Sequence, residues 1–71
     1  MDDVRRFFHG KAVLLSNDEI VMVIGIQGKN DLIIEKNGSE FLSDVENMVE
    51  NMSRDSIIYH QFMEMYPEYM I

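Results

Sequence analysis

The sequence predicts a small α+β domain: a short N-terminal helix, a three- to four-stranded antiparallel meander, and one or two C-terminal helices. Three observations predict it. Short apolar, β-branched runs between residues 11 and 42 are separated by turn residues. One of the separators is Asn37-Gly38, a strong short-range hairpin signal because both residues tolerate positive φ. After residue 42 the apolar residues fall at helical spacing.

Residues 2–9 read as a helix. Asp2 or Asp3 caps it, Val4, Phe7 and Phe8 form its apolar side, and Gly10 ends it. So short a helix is unstable alone, so Phe7 or Phe8 must dock on a core. Residues 11–15 are a first strand, and Ser16-Asn17-Asp18 a turn. Residues 19–26 are apolar without clear alternation, which predicts a central strand or burial on both faces. Gly25 suggests a bulge or bend in it. Residues 27–30 turn the chain, 31–36 form a third strand, and 39–42 return after Asn37-Gly38.

Ser43 with Glu46 three residues later has the form of a capping box. Val45, Met48, Val49 and Met52 then lie at i, i+3, i+4 and i+7. Ser53 and Asp55 are candidates to open a second helix, with Ile58, Phe62 and Met65 on its buried side. The apolar phase slips near residues 55–57, which favours two helices, or one bent helix, over a straight rod. Tyr66 precedes Pro67 and should lie near the helix end. Residues 68–71 form a short apolar tail. The chain is expected to be one domain over 1–71, with helix and meander in 1–42 and an acidic helical region in 43–71. Over residues 3–36 the element order, a short helix leading into a meander, resembles that of Sm-like and other small barrels.

A chain of 71 residues buries only about 60% of the surface its unfolded form exposes. Without cysteine, it has no disulfide to compensate. That absence fits a reducing, cytoplasmic setting. The apolar fraction, 46%, is ample for a core. The longest apolar run, Ile20 to Ile26 counting Gly25, falls far short of the ~20 residues a membrane-spanning helix needs. The opening residues, Met1-Asp2-Asp3-Val4-Arg5-Arg6, do not predict a secretory signal.

The charge of −7 is lopsided. Residues 1–36 carry six acidic and five basic side chains, a net −1, whereas residues 37–71 carry seven acidic side chains and only Arg54, a net −6. This balance argues against direct nucleic-acid binding, which needs lysine and arginine to displace counterions from phosphates. It favours a basic protein surface as partner.

No motif for chemistry stands out. Thiol nucleophiles and cysteine-based metal sites are excluded by composition. Ser16, Ser39, Ser43, Ser53 and Ser56 sit at turns or helix starts, where capping accounts for them. Gly25-Ile26-Gln27-Gly28-Lys29 lacks phosphate-loop spacing and precedes a strand. His60 and Glu64, at i and i+4, are too few to hold a metal without a third ligand such as His9. Asp44, Glu46 and Glu50 lack the alternation of a calcium loop. No cofactor, metal or catalytic residue is therefore expected.

Seven methionines is a high count, with Met48, Met52, Met63 and Met65 in the helical half and Met70 in the tail. Methionine fills irregular cores and also suits adaptable binding surfaces. Two functional expectations follow. The first is a non-enzymatic module that inhibits or regulates a larger protein through Asp44, Glu46, Asn47, Glu50 and Asn51. A carboxylate-rich face can imitate a phosphate backbone and occupy a nucleic-acid-binding groove, as small inhibitors from phages and other mobile elements do. The second is a homo-oligomeric scaffold that pairs through a strand edge or through Ile58, Phe62, Met65 and Tyr66, most simply as a homodimer.

Overall fold

The computed structural model of the chain describes residues 3–69; the Asp2 cap and the Met70–Ile71 part of the tail lie outside them. Helix α1 (Arg5–Phe8) is followed by strands β1 (Ala12–Leu14), β2 (Ile20–Gln27), β3 (Asp31–Lys36) and β4 (Ser39–Asp44). Helices α2 (Val45–Asn51) and α3 (Ile57–Met65) follow, then a 3-10 turn at Pro67–Tyr69. The strands form one antiparallel sheet in the order β1-β2-β3-β4. The architecture is the α+β layout that the sequence predicts. β4 does not pair with β1, so the sheet stays open, unlike the small barrels whose element order it shares.

Local chemistry explains most of the turns. Asn37 and Gly38 both take positive φ, 53° and 83°, and join Lys36 directly to its partner Ser39. Gly10, at φ 82°, turns the chain from α1 into β1. The β2–β3 register shifts between Val23 and Gly25, a bulge at the predicted glycine. β4 runs to Asp44, two residues beyond its expected end.

Helices and sheet form two layers. Val13, Val21, Val23, Leu32 and Ile34 point inward and meet Phe8, Val45, Met48, Val49, Met52, Phe62 and Met63 in one core. Phe8 and Phe62 stack with ring centroids 5.0 Å apart, and Phe7, Tyr66 and Tyr69 close around Phe62. Tyr69 is thus part of the core's edge rather than of a free tail. Among the described residues every buried side-chain polar atom has a partner.

Several expectations need correction. β2 is central, but it is not buried on both faces: Ile20, Met22 and Ile24 alternate outward with inward Val21 and Val23. Asp44, not Ser43, caps α2; its carboxylate accepts from the Asn47 N–H at 2.7 Å. The Ser43 hydroxyl instead accepts from the Asn47 amide group. Ser56, not Ser53 or Asp55, caps α3 through the Tyr59 N–H at 3.1 Å. The buried side of α3 carries Phe62 and Met63, while Met65 is 60% exposed. Of the proposed N-terminal caps, Asp3 accepts from the Arg5 N–H, and the helix itself starts at Arg5.

Arg5 is the buried charge that the sequence did not mark. It is only 9% exposed. Its guanidinium grips the Asp3 carboxylate, at 2.6 Å from Nη2, and donates through Nη1 to the carbonyls of Gln27, Gly28 and Asp31. It therefore ties α1 to the β2–β3 turn with paired and hydrogen-bonded charge, the condition under which burying an ion is tolerable.

Candidate functional site

Helix α2 carries the acidic and amide residues singled out above, and it sits between two clefts. Val45, Met48 and Val49 face the core. Its exposed side divides by i, i+4 spacing into two stripes, Asn47 with Asn51 and Glu46 with Glu50.

The amide stripe borders a groove of about 750 Å³ between α2 and the end of the sheet. Val21, Ile34 and Met48 give it an apolar floor, and Ser16, Asn17, Ser43, Asn47 and Asn51 a polar rim to which Lys36 adds a charge. The Asn51 amide donates to the carbonyl and side-chain oxygens of Asn47, and Asn47 in turn donates to Ser43. The stripe is thus a hydrogen-bonded ladder along the helix. Phe41, on β4, is 54% exposed at the groove mouth.

The acidic stripe borders the second cleft, between α2, α3 and the C-terminal turn. Glu46, Glu50 and Glu68 line it together with Val49, Tyr59, Met63 and Tyr69. Arg54 also lines it, but its guanidinium is engaged. Nη1 donates to the Val49 carbonyl at 3.0 Å, and the group lies over the Tyr59 ring at 4.8 Å. A cation at the C-terminus of α2 also matches the helix dipole. Burial pushes the Tyr69 hydroxyl above its ordinary pKa, and the carboxylates of Glu46 and Glu68 push it further.

Of the five proposed binding residues, Glu46, Asn47, Glu50 and Asn51 share α2 but face two different clefts. Asp44 is committed to the helix cap. The sequence missed Glu68 and Tyr69, which the 3-10 turn after Pro67 folds back onto α2; Pro67 was the only signal of that turn. Of the four proposed self-association residues, Phe62 is wholly buried, and Ile58 and Tyr66 pack partly against the core. Only Met65, at 60%, is exposed; Ile57, which was not among the four, is exposed beside it on α3 at 74%.

His60 and Glu64 are exposed on α3. Among the described residues no three histidine, aspartate or glutamate side chains gather as a metal site. No helix among them is long and apolar enough to cross a membrane. Fold and site together define a two-layer α+β domain with an acidic helix between two clefts. Comparison with protein-family models, with curated proteins and with solved structures finds no match.

Proposed function

We propose that this chain is a non-enzymatic, acidic protein-binding module that docks α2 on a basic surface of a larger protein and thereby inhibits or regulates it. One observation carries the reading: Glu46, Glu50 and Glu68 surround a tyrosine- and methionine-lined cleft whose guanidinium, Arg54, is already engaged. Such a cleft has unpaired negative charge at its rim and apolar surface at its floor. It suits a lysine or arginine whose aliphatic stem packs while its head pairs. The surrounding field, set by a net −6 in residues 37–71, speeds encounter with a basic partner. A basic groove of a nucleic-acid-binding protein is the partner that this chemistry fits best.

The test is competition. Partners are captured on the immobilised chain from its native host and identified by mass spectrometry. Each is then purified and offered duplex DNA or RNA alongside the chain. On this reading nucleic acid displaces the chain, and moderate salt weakens the complex. A partner that binds chain and nucleic acid together, with salt-insensitive affinity, refutes it.

Self-association is the second reading, supported by the unpaired β4 edge and by exposed Ile57 and Met65. The charge of −7 on each copy opposes it. Light scattering at high micromolar concentration separates the two, since a monomer there excludes the homodimer.

A further inference from the structure

The face of the sheet opposite the helices is uncovered, and its composition is unusual for a solvated face. Leu14, Ile20, Met22, Ile24, Ile33 and Leu42 all point to it, by alternation with the buried residues of their strands. Ile20 is 63% exposed, and Met22, Ile24 and Leu42 are also exposed. A contiguous apolar face of this kind marks an interaction surface rather than scattered surface residues.

The charges on it are equally specific. Glu35 lies directly opposite Glu40, and Asp31 directly opposite Asp44. These two like-charged pairs flank the Ile33–Leu42 pair. Like charges directly opposite on one face destabilise a ladder. Asp44 is turned to cap α2, but among the described residues Glu35 and Glu40 gain no cation: Glu35 accepts from the Gly38 N–H, and Lys36 pairs with Glu19. Among the described strand residues on this face none is lysine or arginine. Glu35 and Glu40 form the acidic row of this face, and Asp31 stands ~13 Å from it along β3, four residues at the usual rise.

We propose that this open face is a second docking surface, distinct from α2, and that its occupant is an amphipathic helix of a partner protein, with an apolar stripe flanked by lysine or arginine. A helix satisfies its own backbone, whereas a lone extended peptide laid flat on a sheet face leaves its N–H and C=O groups unpaired. Helices already cover the opposite face, so a partner helix completes a three-layer arrangement. The apolar stripe covers Ile24, Ile33 and Leu42, and the flanking cations relieve the Glu35–Glu40 opposition. A second copy of this chain paired through the same face fits poorly, because it brings −7 against −7 and its face holds no cation for Glu35 and Glu40.

The probe is a synthetic helical peptide with a leucine stripe flanked by lysines, titrated into the ¹⁵N-labelled chain and followed through backbone amide shifts. A matched peptide with glutamates in place of lysines is the control. Saturable shifts should cluster on the outward residues of β2, β3 and β4. The Glu35→Gln/Glu40→Gln variant, whose ladder loses a repulsion and should stay folded, should bind about tenfold more weakly, two exposed ion pairs' worth. A Glu46→Gln/Glu50→Gln variant should keep the peptide-induced shifts on β2, β3 and β4, which separates this surface from α2. Shifts confined to α2 and α3, or equal binding of the glutamate peptide, overturn the proposal. So do concentration-dependent shifts on this face without peptide, which would identify a second copy as the occupant.

Discussion

Met52 lies directly opposite Leu15, as an isolated antiparallel bridge on the free side of β1. The Ser16 N–H donates to the Asn51 carbonyl at 2.8 Å, and the Ser53 N–H to the Leu14 carbonyl at 2.9 Å. This short stretch of sheet-like pairing parts α2 from α3, although no glycine or proline stands between them. It also covers part of the β1 edge, which would otherwise invite pairing with another chain.

Met52 is 1% exposed at this junction. Met52→Ala should therefore destabilise the domain by about 2–5 kcal/mol, the cost of a core cavity. Met65→Ala, on the exposed side of α3, should change stability by less than about 0.5 kcal/mol. Urea denaturation of the two variants checks both values.

Removing the Asp44 carboxylate should cost about 1 kcal/mol, the usual worth of an N-cap. Ser43→Ala should cost less than half of that, since its hydroxyl bonds only exposed groups. Equal losses, or a larger loss at Ser43, would restore the Ser43 capping box. The same denaturation experiment decides it.

Arg5, through hydrogen bonds from its guanidinium and then from its backbone N–H, lowers the Asp3 pKa from 3.8 to about 2. A lowered acid pKa gives stability that is present in full above 3.8 and is lost as pH falls through about 2. Wild type should thus be more stable than Asp3→Asn near neutrality, and the gap should close across that acidic window. Stability curves at a series of pH values measure it. A gap independent of pH would mean that Asp3 does not pair with Arg5.

Where local chemistry decides structure, the sequence is readable. β3, the Asn37-Gly38 hairpin, the Gly25 bulge and the apolar stripe of α2 follow from turn residues and periodicity. Where contacts distant in sequence decide, it is not. The α2–α3 break depends on Leu14–Ser16, nearly forty residues earlier in the chain. Ser43 and Asp44 are both good caps, and strand pairing with Asp31 carries β4 through to the second of them. The choice of Met63 over Met65 for the core depends on how α3 rotates against Phe8. Arg5 looks like a solvated charge until three carbonyls of the β2–β3 turn converge on it. The open sheet face was hidden because β2 is apolar on both sides. Of the candidate site, the α2 residues were legible from their spacing. Glu68 and Tyr69 were not, because only the turn at Pro67–Tyr69 returns them to the helix.

Docking of the acidic side of α2 on a basic surface is put to the test by Glu50→Lys. Glu50 is exposed, makes no ion pair among the described residues, and lies off the apolar stripe. The substitution should leave the fold intact, although it sets a lysine in the cleft that Arg54 also lines. The measurement is association and dissociation of the captured partner with wild type and with Glu50→Lys, at low and at moderate salt. The account predicts slower association and a shallower salt dependence for the variant. Unchanged affinity at low salt would contradict it.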